Sequence, residues 1–180
     1  PYFVPTMVGT LKTNYVRVLR IHVAGDFETA EYIDRWYEII RSSPKTAFFA
    51  YTRSWPHRED LKSMWPHLKR LARLPNMQLW LSCDKDTGRP HPTSRMKSAY
   101  LSTTDADLPN YRTDLIFRNF RRTVLKKYRG IQVCPPENGI PTATPVTCSK
   151  CGICWRNAAN AVTPLFQIHK KKDSSYVSAK

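Results

Sequence analysis

The first half of this sequence predicts an α/β fold built on a parallel sheet. Three apolar, β-prone segments alternate with two stretches of helical periodicity, and short polar turns join them. Beyond Cys83 the regularity gives way to short apolar runs among proline-rich connections. The expectation is therefore a partial β/α-barrel-like parallel sheet with an irregular, cysteine-rich C-terminal region.

Taken in order, the chain begins with a polar lead, and Val16 to Val23 then reads as the first strand because β-branched residues dominate it. Gly25-Asp26 makes a turn, and Asp26 is the expected N-cap of a helix running to about Arg41. Ile33, Trp36, Tyr37 and Ile40 recur at three- and four-residue spacing and mark the buried stripe of that helix. Ser42-Ser43-Pro44 ends it, and the apolar run Thr46 to Thr52 is the second strand. Leu61, Met64, Trp65, Leu68 and Leu71 define a helical region from about Arg58 to Leu74. Pro66 must interrupt or restart that region, since an interior proline lacks the amide hydrogen and clashes with the preceding turn. Met77 to Ser82 is the third strand. Shorter strands are expected at Ser98 to Ser102, Leu115 to Phe117 and Ile131 to Val133, with a basic helix between Asn119 and Tyr128 and a last strand at Leu165 to Ile168.

A chain of 180 residues suits one domain, 1–180, divided into an α/β core (16–118), a basic and cysteine-bearing region (119–169) and a flexible basic tail (170–180). No segment approaches the ~18 consecutive apolar residues that span a bilayer. The N-terminal segment lacks the charged start and apolar centre of a secretory signal, so a cytoplasmic location without membrane association is expected. Pro1 is compatible with removal of an initiator methionine and equally with a missing upstream part. Net charge is +15, which favours polyanionic partners, nucleic acid first among them. Arg118, Arg121, Arg122, Lys126, Lys127 and Arg129 concentrate that excess and are the candidate nucleic-acid contacts; a solvated surface explains the same run equally well.

Four of the five cysteines cluster in sequence: Cys134-Pro135, then Cys148-x2-Cys151-x2-Cys154. Without an export signal, disulfides are not expected. Four thiols so spaced point instead to a metal. All-cysteine zinc sites pair two C-x2-C knuckles, whereas here three thiols share one loop and one comes from another. That three-plus-one pattern with a Cys-Pro is similar to the iron–sulfur run of bacterial ferredoxins, in reversed order. A [4Fe-4S] cluster is the expected cofactor and zinc the alternative. Cys83 stands apart at a strand end and reads as core packing.

Ligands in α/β sheets bind beyond the carboxyl ends of the strands. Those ends carry His22 with Gly25-Asp26, then Tyr51-Thr52-Arg53, Ser82 with Asp84, and Thr103, Thr104 and Asp105. His22, Asp26 and Arg53 are the candidate cofactor-binding residues. Structural roles compete for each: Asp26 as a helix cap, Arg53 as the partner of Asp84, His22 as a satisfied inward side chain. The histidines show no H-x-x-H or HExxH spacing, and neither a G-x-S-x-G nor a phosphate-binding P-loop is present.

Arg20 to Phe27, the helix with Tyr32 and Trp36, Phe49 to Arg53, Cys134-Pro135 with Cys148, Cys151, Cys154 and Trp155, and Phe166 to His169 together resemble the phage- and plasmid-borne Gene product 88 family. Its members look similar to radical-SAM proteins, whose partial β/α barrel carries a Gly-Gly-Glu motif; Ala24-Gly25-Asp26 sits in the corresponding place. The resemblance implies an auxiliary cluster at the four late cysteines and contact between Asp26 and the amino group of S-adenosylmethionine. Radical-SAM chemistry also needs three cysteines near the N-terminus, and none precedes Cys83. The resemblance therefore implies an enzyme only if such a motif lies upstream. The functional expectation is an iron–sulfur protein of radical-SAM-like ancestry, its cluster structural or electron-transferring. A basic nucleic-acid-binding zinc protein without catalysis is the alternative, and a basic partner-binding protein of a mobile element is the third.

Overall fold

A computed structural model describes residues 2–92, 95–104, 107–118, 133–134 and 147–158, the side chains of 118, 149 and 150 excepted. Five parallel strands form one sheet in the order β1-β2-β3-β4-β5: Val18–Ile21, Ala47–Thr52, Met77–Cys83, Met96–Ser102 and Leu115–Arg118. Val133 makes an isolated parallel bridge to Ile116, and the rest of the strand expected at Ile131 to Val133 lies outside the described residues. The basic segment from Asn119 to Tyr128, the run Leu165 to Ile168 and the tail from Lys170 lie outside the described residues.

Helix α1 spans Phe3–Thr13, where the sequence reading had a polar lead. Phe3, Val4, Met7, Val8 and Leu11 pack on the core, at the three- and four-residue spacing of one helical face. Pro5 and Gly9 mask that signal, yet Pro5 falls in the first turn, where backbone N–H groups have no intrahelical acceptor anyway. Packing holds the helix in place: the Phe3 ring meets Trp36 edge-on at 5.6 Å and lies 5.9 Å from Tyr32.

The first strand is shorter than its apolar run. His22 adopts φ +59°, which ends the extended backbone and leaves Val23 exposed. Asp26 does not cap the following helix. Helix α2 spans Ala30–Ser42, and its N-cap is Thr29, whose Oγ1 accepts from the Tyr32 amide at 3.1 Å. Thr29 competes successfully because residues 26–28 are drawn out of helical register by contacts of Asp26 described below. The buried stripe of α2 is Ile33, Trp36, Ile39 and Ile40. Asn76 closes the far end of the layer, its Nδ2 donating to the carbonyls of Ile40, Ser43 and Thr46 at 3.0–3.1 Å.

Pro66 restarts the next helical region. A 3-10 segment, Glu59–Met64, leads into α3, Trp65–Ala72, with the proline in its first turn. No helix occurs between β3 and β4 or between β4 and β5 among the described residues.

Each strand is added on the same side of its predecessor, and right-handed crossovers then deliver the connecting helices α2 and α3 to one face. Phe48, Ala50, Leu79, Leu81, Cys83, Met96, Tyr100 and Ile116 form the core with α1, α2 and α3. The alternate residues, among them Tyr51, Trp80, Ala99, Leu115 and Phe117, point to the opposite face. Something other than these helices must cover that side.

Candidate functional site

The C-terminal segment provides the cover. Val133 pairs with β5, and the Cys134 amide donates to the Ile116 carbonyl at 2.9 Å. Thr147 precedes the one-turn helix α4, Cys148–Cys151, which Gly152 terminates in the left-handed conformation at φ +67°. A Cβ at Gly152 would meet the Trp155 ring at 3.4 Å, so the residue serves both backbone and packing. The chain then lays Ile153 and Cys154 on Trp80, Ala99 and Leu115, and sets Trp155 and Ala158 against Val18 and Ala47.

Two strands hold Cys154. The Tyr51 hydroxyl donates to its Sγ at 2.7 Å, and the Trp80 indole N–H donates to its carbonyl at 2.8 Å. Tyr51 and Trp80 are register partners in neighbouring strands, and their rings stack at 5.7 Å. Phe117 abuts Tyr51 edge-on at 5.3 Å, and the Arg20 guanidinium lies 5.5 Å above the Tyr51 ring. Burial, then the bond to Cys154, pushes the Tyr51 hydroxyl far above its ordinary ionisation. Burial also raises the Cys154 thiol, against the lowering effect of the Tyr51 hydrogen bond.

All four clustered thiols are free of disulfides; Cys148 is exposed and the other three are half-buried. Cys134 and Cys154 both bear electrostatically on Tyr51, and Cys151 and Cys148 bear on Cys154. Four thiolates are the donor set that iron–sulfur clusters use, and the chemistry of these residues fits that group. The side chains are not closed around a metal position: among the described residues no three His, Cys, Asp or Glu groups are gathered to hold an ion. Of the proposed nucleic-acid contacts, Arg121, Arg122, Lys126, Lys127 and Arg129 lie outside the described residues, as does the side chain of Arg118. Cys83 packs in the core as expected, buried with its Sγ donating to the Ala99 carbonyl at 3.4 Å.

A second feature lies at the carboxyl ends of the strands. A cavity of about 400 Å³ is lined by His22, Gly25, Asp26, Glu28, Thr29 and Tyr32, among others. Asp26 brackets two loops. Its Oδ1 accepts from the Phe27 amide at 2.7 Å and the Thr52 hydroxyl at 2.6 Å, and its Oδ2 accepts from the Arg53 amide at 2.5 Å. These three bonds leave about one of a carboxylate's four acceptor positions open. Arg53 joins the bracket only through its backbone. Its guanidinium pairs with Asp84 at 2.5 Å, the structural alternative noted from the sequence. Burial pushes the Asp84 carboxyl up, but the Arg53 hydrogen bond and the amides of Thr87 and Asp86 outweigh it and hold the group below its usual range.

His22 and Asp26 thus share one cavity, while the Arg53 side chain turns to Asp84. Nε2 of His22 is 3.1 Å from the Tyr32 hydroxyl, the two rings stack at 5.6 Å, and buried Nδ1 has no hydrogen-bond partner. Burial lowers the His22 pKa, while Asp26 and Glu28 pull it upward. Sequence reasoning placed Tyr51 among the strand-end residues but not against Cys154, and it did not assign Trp80, Tyr32 or Glu28 to a site. Parallel register decides that Tyr51 and Trp80 share a face, and no local pattern announces register.

A family model for Gene product 88 matches residues 3–157, a span that includes α1, the whole sheet and all four clustered cysteines. A Gene 88 protein of Mycobacterium phage L5 is 32% identical over 93 residues, 50% of this chain and 36% of that protein. The chain therefore spans little more than a third of that relative's length. No solved structure matches it. No helix among the described residues is long and apolar enough to cross a membrane. On the extent of the match, the chain belongs to the Gene product 88 family.

Proposed function

We propose that this phage-type protein binds a [4Fe-4S] cluster through Cys134, Cys148, Cys151 and Cys154, seated against the sheet face that the helices leave bare. The observation that carries the reading is the tethering of Cys154 to Tyr51 and Trp80, with Cys134 packed into the same aromatic patch. The fifth cysteine, Cys83, is buried in the core on the helix-covered face and takes no part. Bound there, such a cluster would carry one electron and, with four thiolate ligands, would present no open iron, which suits electron transfer or structural support. Its formation requires the Cys148 side chain, exposed in this structure, to turn inward.

Radical-SAM-like ancestry is supported by the sequential parallel strand order and by the position of Asp26 after β1. By that analogy alone the cavity at His22 and Asp26 would receive S-adenosylmethionine, using the one acceptor position Asp26 retains. The net charge of +15 supports nucleic acid as a partner.

The deciding experiment is anaerobic purification of the full chain, with iron, sulfide and zinc measured on one sample. About four irons and four sulfides per chain, with absorbance at about 400 nm that dithionite bleaches, are expected. A colourless protein with one zinc per chain would overturn the reading and favour the zinc-based nucleic-acid-binding alternative.

A further inference from the structure

The Tyr51 hydroxyl donates to Cys154, one of the four clustered thiols and 103 positions away. Tyr32 and Tyr100 bond to a histidine and a carboxylate, and Tyr111 bonds to the Gly88 carbonyl and to Cys83, a core thiol outside the cluster. The ring is fixed from three directions. Trp80 stacks on it, Phe117 meets it edge-on, and Phe49 approaches edge-on at 6.3 Å. A phenol clamped in this way has little freedom to turn toward solvent, so the O–H vector is committed to Cys154. Trp80 meanwhile holds the Cys154 carbonyl, which stops the cysteine backbone from sliding away from the hydroxyl.

We propose that Tyr51 is a positioning residue that sets the reduction potential of a cluster ligated by Cys154. This deepens the reading above and rests on it. A ligating thiolate gains negative charge when the cluster accepts an electron, so a fixed hydrogen-bond donor on that sulfur stabilises the reduced form more than the oxidised form. The Arg20 guanidinium above the Tyr51 ring adds positive charge with the same sign of effect. The aromatic surroundings keep water from replacing the donor once it is removed, so deletion of a single oxygen should be felt in full.

The test is Tyr51→Phe in the full-length, cluster-loaded protein, with iron and sulfide content and a dithionite-based redox titration read on the same preparations. Phenylalanine keeps the ring packed between Trp80 and Phe117 and removes only the donor. Iron and sulfide should stay at the parent level while the equilibrium between oxidised and reduced forms moves about tenfold toward the oxidised, a fall of about 59 mV for one electron. Tyr111→Phe, whose hydroxyl bonds to the Gly88 carbonyl, serves as the control and should leave the potential unchanged. A fully loaded Tyr51→Phe protein with the parent's potential overturns this inference and leaves the cluster standing. A parent protein without iron overturns the cluster assignment itself. Should Tyr51→Phe fail to load, Arg20→Gln gives a second reading, with a smaller fall in potential expected and no change overturning the inference.

Discussion

Replacing Asp26 distinguishes a carboxylate that holds the fold together from one free to meet a ligand. Its three accepted hydrogen bonds join the β1–α2 loop to the end of β2. A hydrogen bond to a charged acceptor contributes about 1.5–3 kcal/mol when well buried. Asp26 is only half-buried, so water would recover part of that when the carboxylate is lost. The Thr52 hydroxyl is an exception: it is buried and would be left without its acceptor, at a cost of about 1–3 kcal/mol. Asp26→Ala should therefore cost about 2.5 kcal/mol. Asp26→Asn keeps an acceptor for Thr52 and Phe27 but can turn an N–H₂ toward the Arg53 amide, and about half the loss is expected. With a urea m-value of about 2.5 kcal/mol/M for a chain of this size, the midpoint of Asp26→Ala should fall by about 1 M at unchanged m. Urea denaturation followed by tryptophan fluorescence measures this directly. Two variants that both unfold within about 0.2 M of the parent would refute the bracket and return Asp26 to the pool of uncommitted ligands.

Two further outcomes can be checked. His22 has its pKa lowered in the fold, chiefly by burial, so the unfolded chain takes up the proton first on acidification. Its contribution is present above the unfolded value of about 6.5 and is lost as pH falls below it. His22→Asn tolerates the left-handed backbone and cannot titrate, so the parent should lose more stability than the variant between pH 7.5 and 5.5; equal losses would sink the argument. For nucleic acid, changing Arg121, Arg122 and Lys126 together to Glu should abolish salt-dependent binding, each phosphate contact contributing about 0.9 to the slope of log K against log salt. A parent that does not bind, or a triple variant that binds as before, removes this basic segment from the interface.

How much of the molecule was legible beforehand varies with the range of the forces involved. The helix stripe Ile33–Trp36–Ile40 and the restart at Pro66 follow from local sterics and periodicity, and the structure carries both. The strands β2 and β3 read directly as apolar runs because both of their faces are buried. The N-terminal helix was hidden because Pro5 and Gly9 lower its propensity, while the packing of Phe3 and Leu11 on the core outweighs them. The helix N-cap moved from Asp26 to Thr29 because the Asp26 carboxylate is engaged by Thr52 and Arg53, partners more than twenty residues away. No local rule weighs such a competitor.

The sequence by itself determined that four cysteines stand at the spacing of a ligand set: that spacing is a one-dimensional fact, and thiolate chemistry narrows what such a set could hold. It also determined the class of fold, since alternating periods of two and 3.6 leave few ways to bury apolar surface. Only the tertiary structure decided which face receives the cysteines. Sequential strand order sends the helices to one side, so the Cys134 and Cys148–Cys154 segments settle on the other, under the donors of Tyr51 and Trp80. That pairing depends on strand register and chain reversal, which are set by the summed packing of the whole sheet.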